Sequence, residues 1–307
     1  MTGGEPSEID ARLDVYGGRE RPGAIADYLE AAALAGRRMT RDDLVDLATT
    51  LDWSRKRRRQ VLVEAGDAER DPEAWPDQAF AAIDERADLL GPDYPFETKR
   101  GALVYRGSPD RLSDRYLAVL AISVVHAWRL PSTVDPKVVL EDVAARVLET
   151  RRLGVARMGT ADRGGVGFVD NLQASAAALG LRAMTDPVPR PASAQDVGVD
   201  TLAALVWQDR RPGQWVMIGQ VTCANSTEWR TKLAEPVPGL WADYLQERLF
   251  PQPFLVVPHH VDARHLTELL SSRRGLVLDR LRLVPFKGEN NSDEQALVTA
   301  MLDATVL

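Results

Sequence analysis

The 307-residue chain has a single cysteine, Cys223, which excludes a disulfide framework and any cysteine-rich zinc site and suits a reducing cytoplasm. No run of ~18 apolar residues occurs, and the Met1–Asp10 start is polar and acidic, so neither a membrane span nor a signal peptide is expected. Lysine is scarce: five lysines stand among 38 basic side chains, so a lysine at a chemically suggestive place carries more information than usual. There is no Walker A motif, no strand–GxGxxG–helix and no G-x-S-x-G elbow, which leaves nucleotide-binding and acyl-transfer classes without support. Positive charge is also not in excess. The net charge is −7, so any contact with a polyanion must come from a local basic patch.

What is present is ordinary for a folded chain: 45% apolar and 27% charged residues. The length suits two domains. From Pro22 to about Leu90 the pattern is helical, with Thr40 as an N-cap ahead of Asp42 and Asp43, a helix at Trp53–Glu64 and another at Pro76–Leu90. Gly91–Gly107 reads as a turn and an extended segment, and Arg115–Trp128 as a buried helix. After Pro131 the pattern is mixed. Helices are predicted at Pro136–Leu153, Gly167–Leu181, Glu228–Leu233, Asp262–Leu270 and Asp293–Ala304, with strands at Val199–Trp207, Trp215–Ala224, Phe254–Pro258 and Leu276–Leu283. The expectation is a helical region over 1–130 and an α/β core with a mixed central sheet over 131–307.

The two strands around Gln208–Gln214 carry the chemistry. Side chains alternate along a strand, so Gln220 and Thr222 share one face, and hairpin pairing brings Asp200 to the same end of the sheet as Gln220. A carboxylate beside a carboxamide offers hard oxygen donors to a divalent cation such as Mg²⁺.

The run Asp196-Val-Gly-Val-Asp200, the hairpin and Ile218-Gly-Gln-Val-Thr222 resemble the PD-(D/E)XK nuclease core, the restriction-endonuclease-like fold, over roughly Pro136 to Leu283. The resemblance implies a metal-dependent nuclease acting on DNA, with Mg²⁺ or Mn²⁺ as cofactor. Asp200 matches the family's metal-binding Asp, and Gln220 its second acidic position, where a subset has Gln. Glu141, in Leu140-Glu141-Asp142-Val143, is similar to the leading-helix Glu that often faces the site. The motif lysine two residues after Gln220 is Thr222 here. Lys232, in Glu228-Trp-Arg-Thr-Lys-Leu233, stands where a migrated lysine would be. The Gly-Gln…Trp…Lys run is also loosely similar to bacterial proteins encoded near antiviral defence genes, which implies a partner in a defence complex. The missing lysine leaves a second expectation open: a degenerate core serving as a scaffold or nucleic-acid-binding subunit.

Arg55, Lys56, Arg57, Arg58 and Arg59 form the densest basic cluster, on a predicted helix that with Thr40–Thr50 suggests a helix-turn-helix-like pair. Such a cluster can neutralise phosphates, or be a solvated face. His259-His260 with Asp262 and His265 reads as a solvated loop between strand and helix. Gly164-Gly165-Val166-Gly167 reads as a loop, and Cys223 as a small core residue.

Overall fold

The computed structural model describes residues 21–50, 74–158, 167–186, 197–207, 209, 211–273, 275–286 and 288–305. The basic cluster Arg55–Arg59, Asp196 and Gly164–Val166 lie outside the described residues.

The N-terminal part is helical, with α1 (Arg21–Leu34), α2 (Arg41–Thr50), α3 (Trp75–Leu90) and α4 (Arg115–Ala127). Thr40 caps α2 as expected: its hydroxyl accepts from Asp43 N–H at 3.2 Å, and its own N–H donates to Asp43 Oδ2 at 2.7 Å. Helix α4 is buried on nearly every side, which its all-round apolar composition requires. A small antiparallel hairpin, β1 (Phe96–Lys99) and β2 (Ala102–Tyr105), fills the segment read as turn and extended chain. It reverses at Arg100–Gly101, both at positive φ, the backbone of a tight hairpin turn.

After α5 (Pro136–Thr150), capped by Asp135, comes the main sheet. Its strands are β3 (Gly154–Arg157), β4 (Thr201–Leu205), β5 (Trp215–Val221), β6 (Gln252–Val256) and β7 (Leu276–Leu278), in spatial order β3-β4-β5-β6-β7. Strand β4 is antiparallel to both neighbours, while β5, β6 and β7 run parallel. The sheet is mixed, as expected. The helices α6 (Phe168–Ala178), α7 (Ser226–Lys232), α8 (Pro238–Tyr244), α9 (Ala263–Arg273), α10 (Arg280–Leu283) and α11 (Ser292–Thr305) complete the described elements.

Two expectations are corrected. The predicted strand Leu276–Leu283 stops at Leu278, because Asp279 caps a new helical turn and turns the chain: its carboxylate accepts from Arg282 N–H at 3.3 Å and Val261 N–H at 3.2 Å. His259, His260 and His265 are not solvated but buried at 4%, 6% and 8% exposure. The rings of His259 and His265 both stack on Trp229, at 5.8 and 5.3 Å.

The helical and sheet parts share one core. A continuous cluster of buried residues runs from Ile25, Phe80 and Ile122 to Val143, Met217, Phe254 and Leu297, across the boundary expected at residue 130. Through it passes a water-excluded ionic network. Asp27 and Glu30 of α1, Arg86 of α3 and Arg280 of α10 are each at most 2% exposed. Arg280 grips Asp27 with two bonds of 2.7 and 2.8 Å, while Glu30 Oε1 accepts from Arg86, Tyr94 and Tyr116 at 2.8, 2.8 and 2.7 Å. Burial alone would push the Asp27 carboxyl up, yet the Arg280 and Arg86 guanidiniums hold it well below the usual carboxylate range.

Arg280→Met takes from Asp27 its bidentate partner, leaving the Arg86 guanidinium at 2.9 Å as its remaining cation, and should cost about 3 kcal/mol in urea unfolding. Adding Asp27→Asn should recover part of that loss. Far-ultraviolet circular dichroism and tryptophan fluorescence should report one coincident transition. Two separated transitions would contradict a shared core.

Candidate active site

The β4–β5 ladder pairs Thr201 with Gly219 and Leu202 with Ile218. It continues one step further, since Asp200 N–H donates to Gly219 O at 2.8 Å, so Asp200 lies across from Gln220. The Asp200 side chain completes the ladder by accepting from Val221 N–H at 2.8 Å. Gly219 precedes Gln220 for a steric reason: a Cβ there would sit 2.1 Å from the Phe254 ring.

The alternation of side chains assigns the faces. Ala203, Met217 and Val221 join the core cluster of α4 and α5, whereas Leu202 and Ile218 pack with Leu172 of α6 and with Trp241 and Tyr244 of α8. Gln220 therefore faces away from α5. Its neighbour on β6 is Leu255, which packs with Trp229 and Leu233 at α7, so α7 covers Gln220's side of the sheet. Gln220 is 5% exposed. It sits at the carboxyl end of β5 beside the parallel β6, the end of an α/β sheet where ligands bind.

Lys232 ends α7 on that same side. Its Nζ is paired with Glu235 Oε1 at 2.9 Å and is partly exposed. The chain at Glu235 closely approaches Gly198, two residues before Asp200: a Cβ on Gly198 would be 2.9 Å from Glu235 O, and φ there is +72°. Position 198 therefore needs glycine both for its backbone and for this approach. Glu235 escaped the sequence reading, although its i,i+3 spacing from Lys232 is a helical-pair signal.

Glu141 is not brought to this group. It lies on α5, across the sheet from Gln220, with Oε2 4.0 Å from Nε of Arg157. Arg157 pairs in register with Thr201, whose hydroxyl is buried without a hydrogen-bond partner. The expected quartet is thus divided: Asp200, Gln220 and Lys232 belong to one side, Glu141 to the other. Among the described residues no three His, Cys, Asp or Glu side chains cluster as a metal site. Asp200 and Gln220 fit a cation that keeps most of its water and takes further oxygens from a substrate, the usual habit of Mg²⁺.

Beyond the carboxyl ends of β5 and β6 lie groups of unusual acidity. Burial pushes the Cys223 thiol up, in keeping with a core residue. Burial pushes His259 down to about 4 and His260 down to about 3, the latter helped by Arg86, whose Nε donates to His260 Nδ1 at 3.3 Å. Burial pushes Asp279 up to about 6. Comparison with family models, curated proteins and solved structures gives no match.

The two imidazoles are neutral in the fold and titrate near 6.5 when unfolded, so their contribution is present above that pH and is lost on acidification toward 4. Asp279 acts in the opposite sense, favouring the fold as pH drops below 6. At ~1.4 kcal/mol per pH unit per group, stability should fall by roughly 3 kcal/mol between pH 7.5 and 5. Urea unfolding at the two pH values measures this. Equal stability at both would mean that the histidines are not buried neutral.

Proposed function

We propose that the chain is a nuclease of the PD-(D/E)XK type, hydrolysing phosphodiester bonds of DNA with Mg²⁺ or Mn²⁺. The observation that carries the reading is the buried Gln220 side chain lying across the β4–β5 ladder from Asp200, on the side covered by α7. The order α5, β3, α6, β4, β5, α7, α8, β6 contains that family's sequence of a helix, a hairpin bearing the acidic positions, a helix and a further strand, with α6 and α8 inserted. Asp200 and Gln220 would hold the ion, which when bound activates water and offsets phosphate charge. Asp200 also keeps the end of β5 in place through Val221 N–H. Lys232, released from Glu235, positions the attacking water or stabilises the charged phosphate. The basic side chains of Arg55–Arg59 supply phosphate contacts. A role in antiviral defence, with a protein partner, accords with the Gly-Gln…Trp…Lys run.

One observation favours a second reading. With Thr222 in place of the motif lysine, and Lys232 tied to Glu235, the core would serve as a nucleic-acid-binding or scaffold subunit without cleavage.

Incubation with plasmid and linear DNA should give degradation with Mg²⁺ or Mn²⁺ and none with EDTA. Asp200→Asn keeps an acceptor for Val221 and should lower cleavage by about 100-fold or more, as should Gln220→Ala. Glu141→Gln should leave the rate within about threefold, because the side chain lies across the sheet. Replacing Arg57, Arg58 and Arg59 with Ala should weaken binding and flatten its salt dependence without altering metal dependence. Intact binding with no cleavage under any metal would establish the second reading instead.

A further inference from the structure

At the far end of the same hairpin, aromatic side chains project into water. Trp207 is 66% and Trp215 56% exposed, and Phe250 is 76% exposed. Leu205 pairs in register with Trp215, and Phe250 lies two residues before β6, whose ladder with β5 begins at Met217 and Gln252. Exposed apolar groups in such a row are unusual for a surface with no partner.

The tip that holds them is fixed. Gln214 Oε1 accepts from Trp207 N–H at 2.6 Å, and its Nε2 donates to Arg211 O at 2.6 Å. Glu247 Oε2 accepts from Gly213 and Gln214 N–H at 2.7 and 3.2 Å. An open hollow of about 920 Å³ lies among Trp207, Asp209, Arg211 and Gln214. Arg211 and Arg248 are exposed, and Asp209 is the exposed acid beside them, because the Glu247 carboxylate is turned inward onto backbone amides. The end of the hairpin is thus locally positive on a chain whose net charge is −7.

We infer that this hairpin end is a stacking platform for unpaired bases of a single-stranded nucleic acid, an inference that rests on the nuclease reading and names its substrate class. Flat aromatic faces beside arginine suit bases, which stack without regard to sequence and bring phosphates with them. Duplex DNA presents no free base faces to such rings. A purely apolar partner would have to bury Arg211 and Asp209, which are 2.7 Å apart and exposed. Seven residues of extended chain separate Asp200 from Trp207, about 23 Å along one hairpin, so a strand held at the tip is delivered along the sheet toward the candidate site.

The test is a fluorescence titration of the full chain with oligothymidylate and with a matched duplex, at several salt concentrations and without metal. Single strand should quench tryptophan emission and bind more tightly than duplex. The Trp207→Ala/Trp215→Ala double variant should lose about thirtyfold or more in affinity with an unchanged salt slope, and Trp207→Phe/Trp215→Phe should recover most of it. Equal affinity of the Ala and native chains overturns the inference. So does tryptophan-dependent binding to phosphatidylserine vesicles without any to oligonucleotide, or a dimer that dissociates on the Ala changes. Cleavage assayed in parallel separates the two readings: quenching without cleavage keeps the platform and removes the nuclease, while cleavage without quenching does the reverse.

Discussion

Four charges held out of water, on Asp27, Glu30, Arg86 and Arg280, constrain the arrangement of everything around them. An ion in a low-dielectric interior is tolerated only where an opposite charge and enough hydrogen bonds meet it. Each partner here comes from a different stretch of chain: two acids from α1, one arginine from α3, the other from α10 after the last strand of the sheet. Tyr94 and Tyr116 add hydroxyl donors to Glu30, and the burial and neighbouring Glu30 charge that hold Tyr116 neutral keep it a donor. The helices cannot slide over the sheet without separating these pairs. The same network reaches His260 through Arg86 and so fixes the loop that leaves β6.

With that frame fixed, the sheet acts as a partition between two chemistries. On the α5 side lie Glu141, Arg157 and the buried Thr201 hydroxyl. On the α7 side lie Gln220 and Lys232, with Asp200 at the strand end between them. Period-two alternation enforces this division, and no rotamer of Glu141 can reverse it. The Lys232 ammonium on that side is engaged by a carboxylate three residues away.

The adjacency of Asp200 and Gln220 was legible because both residues interrupt apolar runs flanking a loop of hairpin length. Thr40 was legible as a cap because its partner lies three residues on. Other features had no local signal. Strand β3 is only Gly154–Arg157, with a single strongly β-forming residue, and it exists because β4 offers it an edge. The run Leu276–Leu283 is continuous in the apolar sense of a strand, and what ends it is the capping carboxylate of Asp279 together with the pull on Arg280 from Asp27. The histidines looked solvated because polar residues in a loop usually are. Their burial depends on the indole of Trp229, which sequence spacing does not place. Glu141 matched a motif by position along its helix, and the face it takes follows from packing.

Asp27 and Arg280 stand 253 residues apart, and this gives the chain a temporal problem as well as a spatial one. During synthesis α1 emerges with its two acids early, while the guanidinium that must accompany Asp27 follows only when most of the chain has been made, roughly tens of seconds later at ribosomal speed. Until then Asp27 has Arg86, which also serves Glu30, as its cationic partner. The helical part therefore reaches its full set of ion pairs only once the sheet has been made. A chain stopped short of α10 lacks the guanidinium that grips Asp27 with two bonds.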